Sequence, residues 1–292
     1  MIIGHKKQIQ RLQALHKRGQ IPHSLLFSGP EGTGKKVVAN WFLKMINCLK
    51  EASCGICDNC RAIEENVHPD VFRVAPQGKE IHLGQVEEMM ERISHKGVKA
   101  RLKGVLIDNA HLMNLQAQNS LLKVLEEPPQ DTLIILITEY PRVLLPTITS
   151  RTFCFKFSFV PQEEIAESLS DKEAAFLSVG RPGLAIKCKN CSREKERMES
   201  RKEEAKKVVE GDISERFSTI KKVIKEERTE EFLSHLLRIT KDGMKRSLEE
   251  GKCTDSHREV IKEIERTLFL YSKTNINKQL ALERIAIKLQ TC

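Results

Sequence analysis

The sequence has no apolar run approaching the ~18–20 residues that a membrane-spanning helix needs. Its start, "MIIGHKKQIQRL", is amphipathic and lacks the apolar stretch of a secretory signal. Together these absences give the expectation of a cytoplasmic protein with no membrane partner. Aromatic residues are scarce, at 5% of 292 residues with one Trp and two Tyr. That disfavours a single-strand binder that stacks bases on aromatic platforms. Negative charge is in deficit, with 40 Asp and Glu against 49 Lys and Arg. The resulting net charge of +9 suits an anionic partner such as nucleic acid, and equally suits a basic but ordinary surface. Cysteine is present at nine residues, an odd number in a chain without secretory features, so a disulfide framework is not expected. The remaining composition, 40% hydrophobic and 30% charged, is that of a folded chain long enough for two or three domains.

The first half alternates short apolar runs with helical patterns. "SLLFSGP" reads as a strand entering a loop, because Gly and Pro close a short apolar run. "KKVVANWFLKMINCL" follows with apolar residues at helical spacing. "DVFRVAP", "KGVLIDNA" and "TLIILIT" are further strand candidates, separated by the helices "LGQVEEMMERISHK" and "LQAQNSLLKVLEE". Nearly continuous apolar strands alternating with helices indicate an α/β fold with a parallel sheet covered on both faces. After about Phe157 no strand is expected. Two or three short helices follow, with a break at 180–183, then the charged run "SREKERMESRKEEAKK", which reads as a solvated helix or a linker. The last hundred residues read as helices. Phe217, Ile220 and Ile224 share one face, as do Ile264, Leu268 and Tyr271, and Leu282, Ile285 and Leu289.

Three constellations carry chemistry. The first is "SGPEGTGKK", a strand–loop–helix segment with Gly29, Gly32, Gly34 and Lys35. Backbone N–H groups of such a loop and the following helix N-terminus can wrap a polyphosphate, with Lys35 reaching the outer phosphates. A working site places a hydroxyl next, on magnesium. Here it is Lys36, whose ammonium has no lone pair to offer a metal. Asp108, at the end of an apolar strand, is where a magnesium-holding carboxylate is expected; the bland alternative is a strand-end cap. The next residue, where a water-polarising Glu is expected, is Asn109. Both groups that hydrolysis needs most are therefore altered. Nucleotide (ATP or ADP) binding stays open and Mg²⁺ coordination is in doubt.

The second is Cys48-x5-Cys54-x2-Cys57-x2-Cys60. Four thiolates within thirteen residues suffice for one tetrahedral, structural Zn²⁺, and "SCGICDNC" is too polar and Gly-rich for core. Cys188-x2-Cys191 lacks a second pair, and Cys154, Cys253 and Cys292 have no metal reading. The third is Ser150-Arg151 in "LPTITSRTFCF". Arg151 is either a surface charge or an arginine finger for a γ-phosphate on a neighbouring subunit.

The ordered set "IGHKKQIQRLQALHKRGQIPHSLLFSGPEGTGKK", "CGICDNC", "HPDVFRVAP", "VLIDNAHLMNLQAQNSLLKVLEEPP" and "LLPTITSRT" resembles the clamp-loader AAA+ ATPases of bacterial replication over about residues 1–160. With Lys35-Lys36 and Asp108-Asn109, the chain resembles the delta-prime branch of the DNA polymerase III loader. The gamma/tau motor branch keeps Lys-Thr and Asp-Glu at those positions. The resemblance implies a RecA-like P-loop domain over 1–157 with a zinc module at 48–60, a helical lid over 158–200 and a helical collar over 201–292. It implies that Arg151 acts in trans, and that Thr138 occupies the polar sensor position at the end of its strand. It leaves Arg181, near the break at 180–183, without an assigned nucleotide role. It further implies DNA replication as the process, with gamma/tau-like motor and delta-like subunits as partners, and the sliding clamp and primer–template DNA reached through the complex. Hydrolysis is expected from the assembled loader within the DNA polymerase III holoenzyme, not from this chain alone. The alternative is an active ATP-hydrolysing motor of gamma/tau type.

Overall fold

A computed structural model describes residues 1–50, 53–271 and 277–289. Among these, two compact units are present: residues 1–168 with 180–183, and residues 169–179 with 184–292. Cys292 lies outside the described residues, and so does the side chain of Tyr271.

The first unit begins with helix α1 (Lys6–Lys17), strand β1 (Ser24–Ser28) and helix α2 (Lys35–Asn47). Helix α3 (Asp58–Glu64), strand β2 (Val71–Val74), helix α4 (Leu83–Ser94) and strand β3 (Lys103–Ile107) come next. A short 3₁₀ turn leads into α5 (Leu115–Glu126) and β4 (Thr132–Thr138). The unit closes with α6 (Pro146–Ser150), β5 (Phe153–Lys156) and α7 (Gln162–Leu169). The five strands form one parallel sheet in the order β2-β3-β4-β1-β5.

Every residue of β1, β3 and β4 is buried, as their continuous apolar runs require of strands covered on both faces. Successive side chains alternate between two cores. Leu25, Phe27, Ile135 and Ile137 pack with Val38, Phe42 and Ile46 of α2 and Leu12 of α1. Leu26, Ile107, Ile134 and Leu136 pack with Val86 and Met89 of α4 and Leu121 of α5. The expected α/β architecture is present, with one strand more than the sequence reading contained. Strand β5, just after Ser150-Arg151, shows too little apolar run to announce itself. It is an edge strand in which Phe155 is buried and Cys154 and Lys156 are exposed.

Two side chains at the sheet's starting edge fix connections that sequence patterns do not reveal. Lys103 is buried, and its ammonium bonds to the Ile93 carbonyl and, at 2.9 Å, to that of His95. It thus neutralises the C-terminal end of α4. The carboxylate of Asp70, also buried, accepts from the backbone N–H groups of Val98, Lys99 and Ala100 at 2.6–3.1 Å.

The second unit is helical among the described residues: α8 (Lys172–Leu177), α9 (Pro182–Asn190), α10 (Ser192–Glu210), α11 (Ile213–Lys225), α12 (Thr229–Glu249), α13 (Asp255–Tyr271) and α14 (Lys278–Lys288). Pro182 and Gly183, at the start of α9, belong to the first unit. One core gathers Ala205, Val208, Ile220, Val223, Leu233, Ile264, Leu282, Ile285 and Leu289, with Ile224 and Leu268 packed against it. Phe217 is half-buried, and Val223, six residues further along α11, lies in the core. The charged run is one continuous helix, α10, that buries Met198, Ala205 and Val208 and also Arg201. Its charges hid the stripe because Arg201 is inside, paired with Glu231. Arg216 is likewise buried and donates to the carbonyls of Val209, Gly211 and Ala286, joining the ends of α10 and α14.

Asp70→Asn should destabilise the first unit by about 1–3 kcal/mol, since one acceptor for three backbone donors becomes an amide. Burial raises the Asp70 pKa, but the three N–H bonds outweigh it and hold the pKa below 3.8. The carboxylate therefore stabilises the fold above its unfolded pKa and stops doing so as pH falls through the lower folded value. Urea midpoints of both proteins, at neutral and acid pH, should differ most at neutral pH and converge on acidification.

Candidate functional site

The loop after β1 takes its shape from three glycines with positive φ: Gly29 at 149°, Gly32 at 73° and Gly34 at 98°. At Gly29 a side chain is impossible, because a Cβ would stand 2.0 Å from the Phe157 carbonyl oxygen. Gly34 is the N-cap of α2, so the free N–H groups of the helix's first turn face the loop. Thr33, buried in the loop, donates its hydroxyl to the Pro30 carbonyl at 2.8 Å. His5 donates from Nε2 to the Thr33 carbonyl at 2.7 Å and meets Phe157 edge-on, tying α1's start to the loop. Burial holds the His5 pKa below its usual value, which keeps the ring neutral.

Lys35 is folded back into the cradle. Its ammonium donates to the carbonyls of Gly29 and Pro30 at 2.6 and 2.7 Å. Burial lowers its pKa, opposed by the charges of Glu139, Glu31 and Asp108. The hydrogen bonds it makes to carbonyls are ones that phosphate oxygens could replace.

Strands β3 and β4 deliver two further residues at the same end of the sheet. Asp108 follows β3, with Oδ1 accepting from the Asn109 N–H and Oδ2 paired to Lys36 Nζ at 2.9 Å. Asn109 has left-handed backbone angles, φ 52° and ψ 48°, at the start of the 3₁₀ turn, a conformation that Asn tolerates better than most residues. Thr138 ends β4 and is fully buried. Its hydroxyl lies 3.2 Å from His111 Nδ1 and accepts from the Tyr140 N–H, while its carbonyl accepts from the Gly29 N–H. Gly29, Gly32, Gly34, Lys35, Asp108 and Thr138 are thus one assembled group.

Arg181 joins them. A Cβ on Gly32 would lie 3.3 Å from its Cβ, and the Gly183 N–H donates to the Gly32 carbonyl at 2.9 Å. Its Nε is buried without a partner among the described residues, and its guanidinium lies 5.6 Å from the Phe159 ring centroid. The sequence marked the break at 180–183 but not that it closes on the loop. His5 and His111 carried no local signal at all, because their partners lie 28 and 27 residues away.

Arg151 is elsewhere. It caps α6 just before β5, and its carbonyl accepts from Ser24 Oγ at the start of β1. Strands β1 and β5 are parallel and in register from Leu25↔Phe153, so Arg151 stands at the opposite end of the sheet from the loop. At ~3.3 Å per residue, the five residues of β1 separate them by roughly 16 Å. The guanidinium is partly exposed, bonding Glu126 Oε1 at 2.8 Å and the Thr147 carbonyl at 3.1 Å.

The four cysteines also come together. Cys48 caps the end of α2, Cys57 caps the start of α3, Cys60 lies within α3, and Cys54 sits in the loop between. Their Sγ atoms all lie within 4.8 Å of one another, with Cys48 and Cys57 4.0 Å apart. A tetrahedral zinc with ~2.3 Å bonds sets neighbouring sulfurs about 3.8 Å apart, so the donor set fits that ion. The Lys50 and Cys54 N–H groups point at Cys48 Sγ, at 3.4 and 3.5 Å, as they would at a metal-bound thiolate. Asn59 fixes α3 to the end of α2 through the Asn47 carbonyl at 2.8 Å, and Arg73 of β2 ties the Ile63 carbonyl to Asn40. Burial pushes the Cys60 thiol up to about 12.

A family model described as DNA polymerase III, delta subunit matches residues 4–161. The chain is 37% identical over 161 residues to the DNA polymerase III subunit delta′ of Bacillus subtilis, covering 54% of this chain and 49% of that one. It is 37% identical over 139 residues to the delta′ subunit of Pseudomonas aeruginosa, covering 46% and 42%. It is also 32% identical over 172 residues to the tau/gamma subunit of Haemophilus influenzae, covering 58% and 25%. The matched stretch spans about half or less of the length of these relatives.

If the cysteine cluster holds zinc, the purified chain should carry about one equivalent of it by elemental analysis. Replacing Cys54 and Cys57 by Ser should remove the metal and lower the melting temperature by several degrees. Folded wild-type chain without metal would exclude the zinc reading.

Proposed function

The chain belongs to the DNA polymerase III, delta subunit family, and from that membership we propose that it serves as a delta-prime-like subunit of the sliding-clamp loader in DNA replication. In this reading it does not hydrolyse nucleotide. It supplies Arg151 to the ATP site of a neighbouring gamma/tau-like motor subunit.

The observation that carries the proposal is the position of Arg151. It is partly exposed, at the end of the sheet opposite its own loop. A guanidinium so far from its own phosphate cradle can stabilise charge only on another molecule's phosphate. The replacement of both hydrolytic groups, by Lys36 and Asn109, supports the same division of labour. Residues 1–157 then form the P-loop domain with structural zinc at 48–60. Residues 158–200 form the lid and 201–292 the collar that joins gamma/tau-like and delta-like partners, the two sharing α10. The net charge of +9 favours weak contacts to the primer–template DNA that the complex encloses beside the clamp.

The alternative, an active gamma/tau-like motor, draws on the 32% identity to a tau/gamma subunit. Turnover by the purified chain alone, abolished by Lys35→Ala, would establish it. The proposal itself is tested in the reconstituted loader. Arg151→Ala should lower ATP turnover about tenfold or more while gel filtration shows the complex intact. Unchanged turnover would remove the trans role.

A further inference from the structure

The salt bridge between Lys36 and Asp108 stands where a phosphate loop ordinarily works on magnesium. Lys36 is the second residue of α2, and Asp108 immediately follows β3, two strands away from β1 in the sheet. The two are 72 residues apart in sequence, and their atoms meet at 2.9 Å. The carboxylate is mostly covered, whereas the lysine side chain is half exposed and reaches over it.

Magnesium demands oxygen ligands in near-octahedral geometry and keeps several of its waters. In this chain the hydroxyl that would be one ligand is replaced by an ammonium, which has three donors and no acceptor. That ammonium also engages the carboxylate oxygen that a hydrated metal would use. A divalent ion entering here would have to break the ion pair and then share the space with a positive charge. At 4 Å two such charges repel strongly in any partly covered site. The donor set therefore does not fit magnesium.

Three cations nevertheless remain around the loop. Lys35 lies in the cradle, Lys36 at its rim, and Arg181 against Gly32 with an unpartnered, buried Nε. The acidic groups Glu139, Glu31 and Asp108 act on Lys35. Lys36 answers the last of these directly. Lys35, held only by loop carbonyls among its hydrogen bonds, and the loop's N–H groups are what a polyanion would meet.

We propose that Lys36 is a built-in counter-cation: its ammonium holds the Asp108 carboxylate in place of a divalent metal, so that the loop accepts a nucleoside di- or triphosphate in its metal-free form. This rests on the loop being a phosphate cradle, and it goes beyond the absence of hydrolysis. A chelated phosphate chain arrives with its own dication and meets Lys36, so magnesium gives no gain in affinity. The bound nucleotide would be a structural wedge in the cradle, with no ion positioned for phosphoryl transfer.

The test is equilibrium binding of a fluorescent ADP analogue to the full chain, in excess magnesium and in magnesium-free buffer without chelator, which leaves any metal on the four cysteines in place. Wild-type chain should bind without magnesium at least as tightly as with it. Lys36→Thr restores a hydroxyl and frees Asp108, so magnesium should then tighten binding about tenfold or more. Wild-type binding that magnesium tightens about tenfold would overturn the counter-cation role and leave the cradle standing. A Lys36→Thr chain that binds equally in both media would overturn it too, because something other than Lys36 would be excluding the metal. No binding by either chain in either medium would overturn the cradle and the proposal together. The wild-type comparison decides the matter even if the variant folds poorly.

Discussion

Strand β1 is hydrogen-bonded on both sides, to β4 and to β5, and the placement of the functional residues in the first unit follows from that. Its end at Ser28 is in register with Thr138 and Lys156. The chain must then turn into the loop while the Phe157 N–H donates to the Ser28 carbonyl and the Gly29 N–H to the Thr138 carbonyl. A Cβ at Gly29 would collide with the Phe157 carbonyl, so only glycine permits the close approach. The same two ladders send Arg151 to the far end of the sheet, because parallel strands share a direction. One end of the sheet carries the glycine loop and the other the partly exposed Arg151.

The charges in this chain do two different kinds of work. Exposed pairs such as Lys6–Glu164 and Arg92–Glu88 add little to stability, since water and salt screen them. Arg201 and Arg216 differ, because both are buried and their donors are matched to a carboxylate and to helix-end carbonyls. Removing either partner would leave an uncompensated charge inside the second unit. Burial pushes the Arg201 guanidinium down to about 10. The Lys36–Asp108 pair lies between these cases. Its worth is less in stability than in which ion it keeps out.

The strongly periodic elements were readable because burial on both faces leaves little freedom in composition. "TLIILIT" is a strand in which all seven residues are buried, and "LQAQNSLLKVLEE" is a helix capped by Asn114 and halted at Pro128. The cysteine spacing and the glycine loop were equally legible, since each chemistry dictates its own spacing. Strand β5 and the buried face of α10 were not. An edge strand needs only one buried residue in four, and a stripe that contains Arg201 does not look apolar.

The sequence by itself determined the chemical vocabulary: a glycine loop with Lys35 and no following hydroxyl, an acid–amide pair at 108–109, four closely spaced thiols, and Ser-Arg after a proline turn. These are local facts, fixed by residue type. The tertiary structure decided who meets whom. It brought Lys36 onto Asp108, closed Arg181 over Gly32, seated His5 on Thr33 and kept Arg151 away from the loop. Each depends on strand order and register, which arise from packing between residues far apart in the chain and leave no trace in any short window of it.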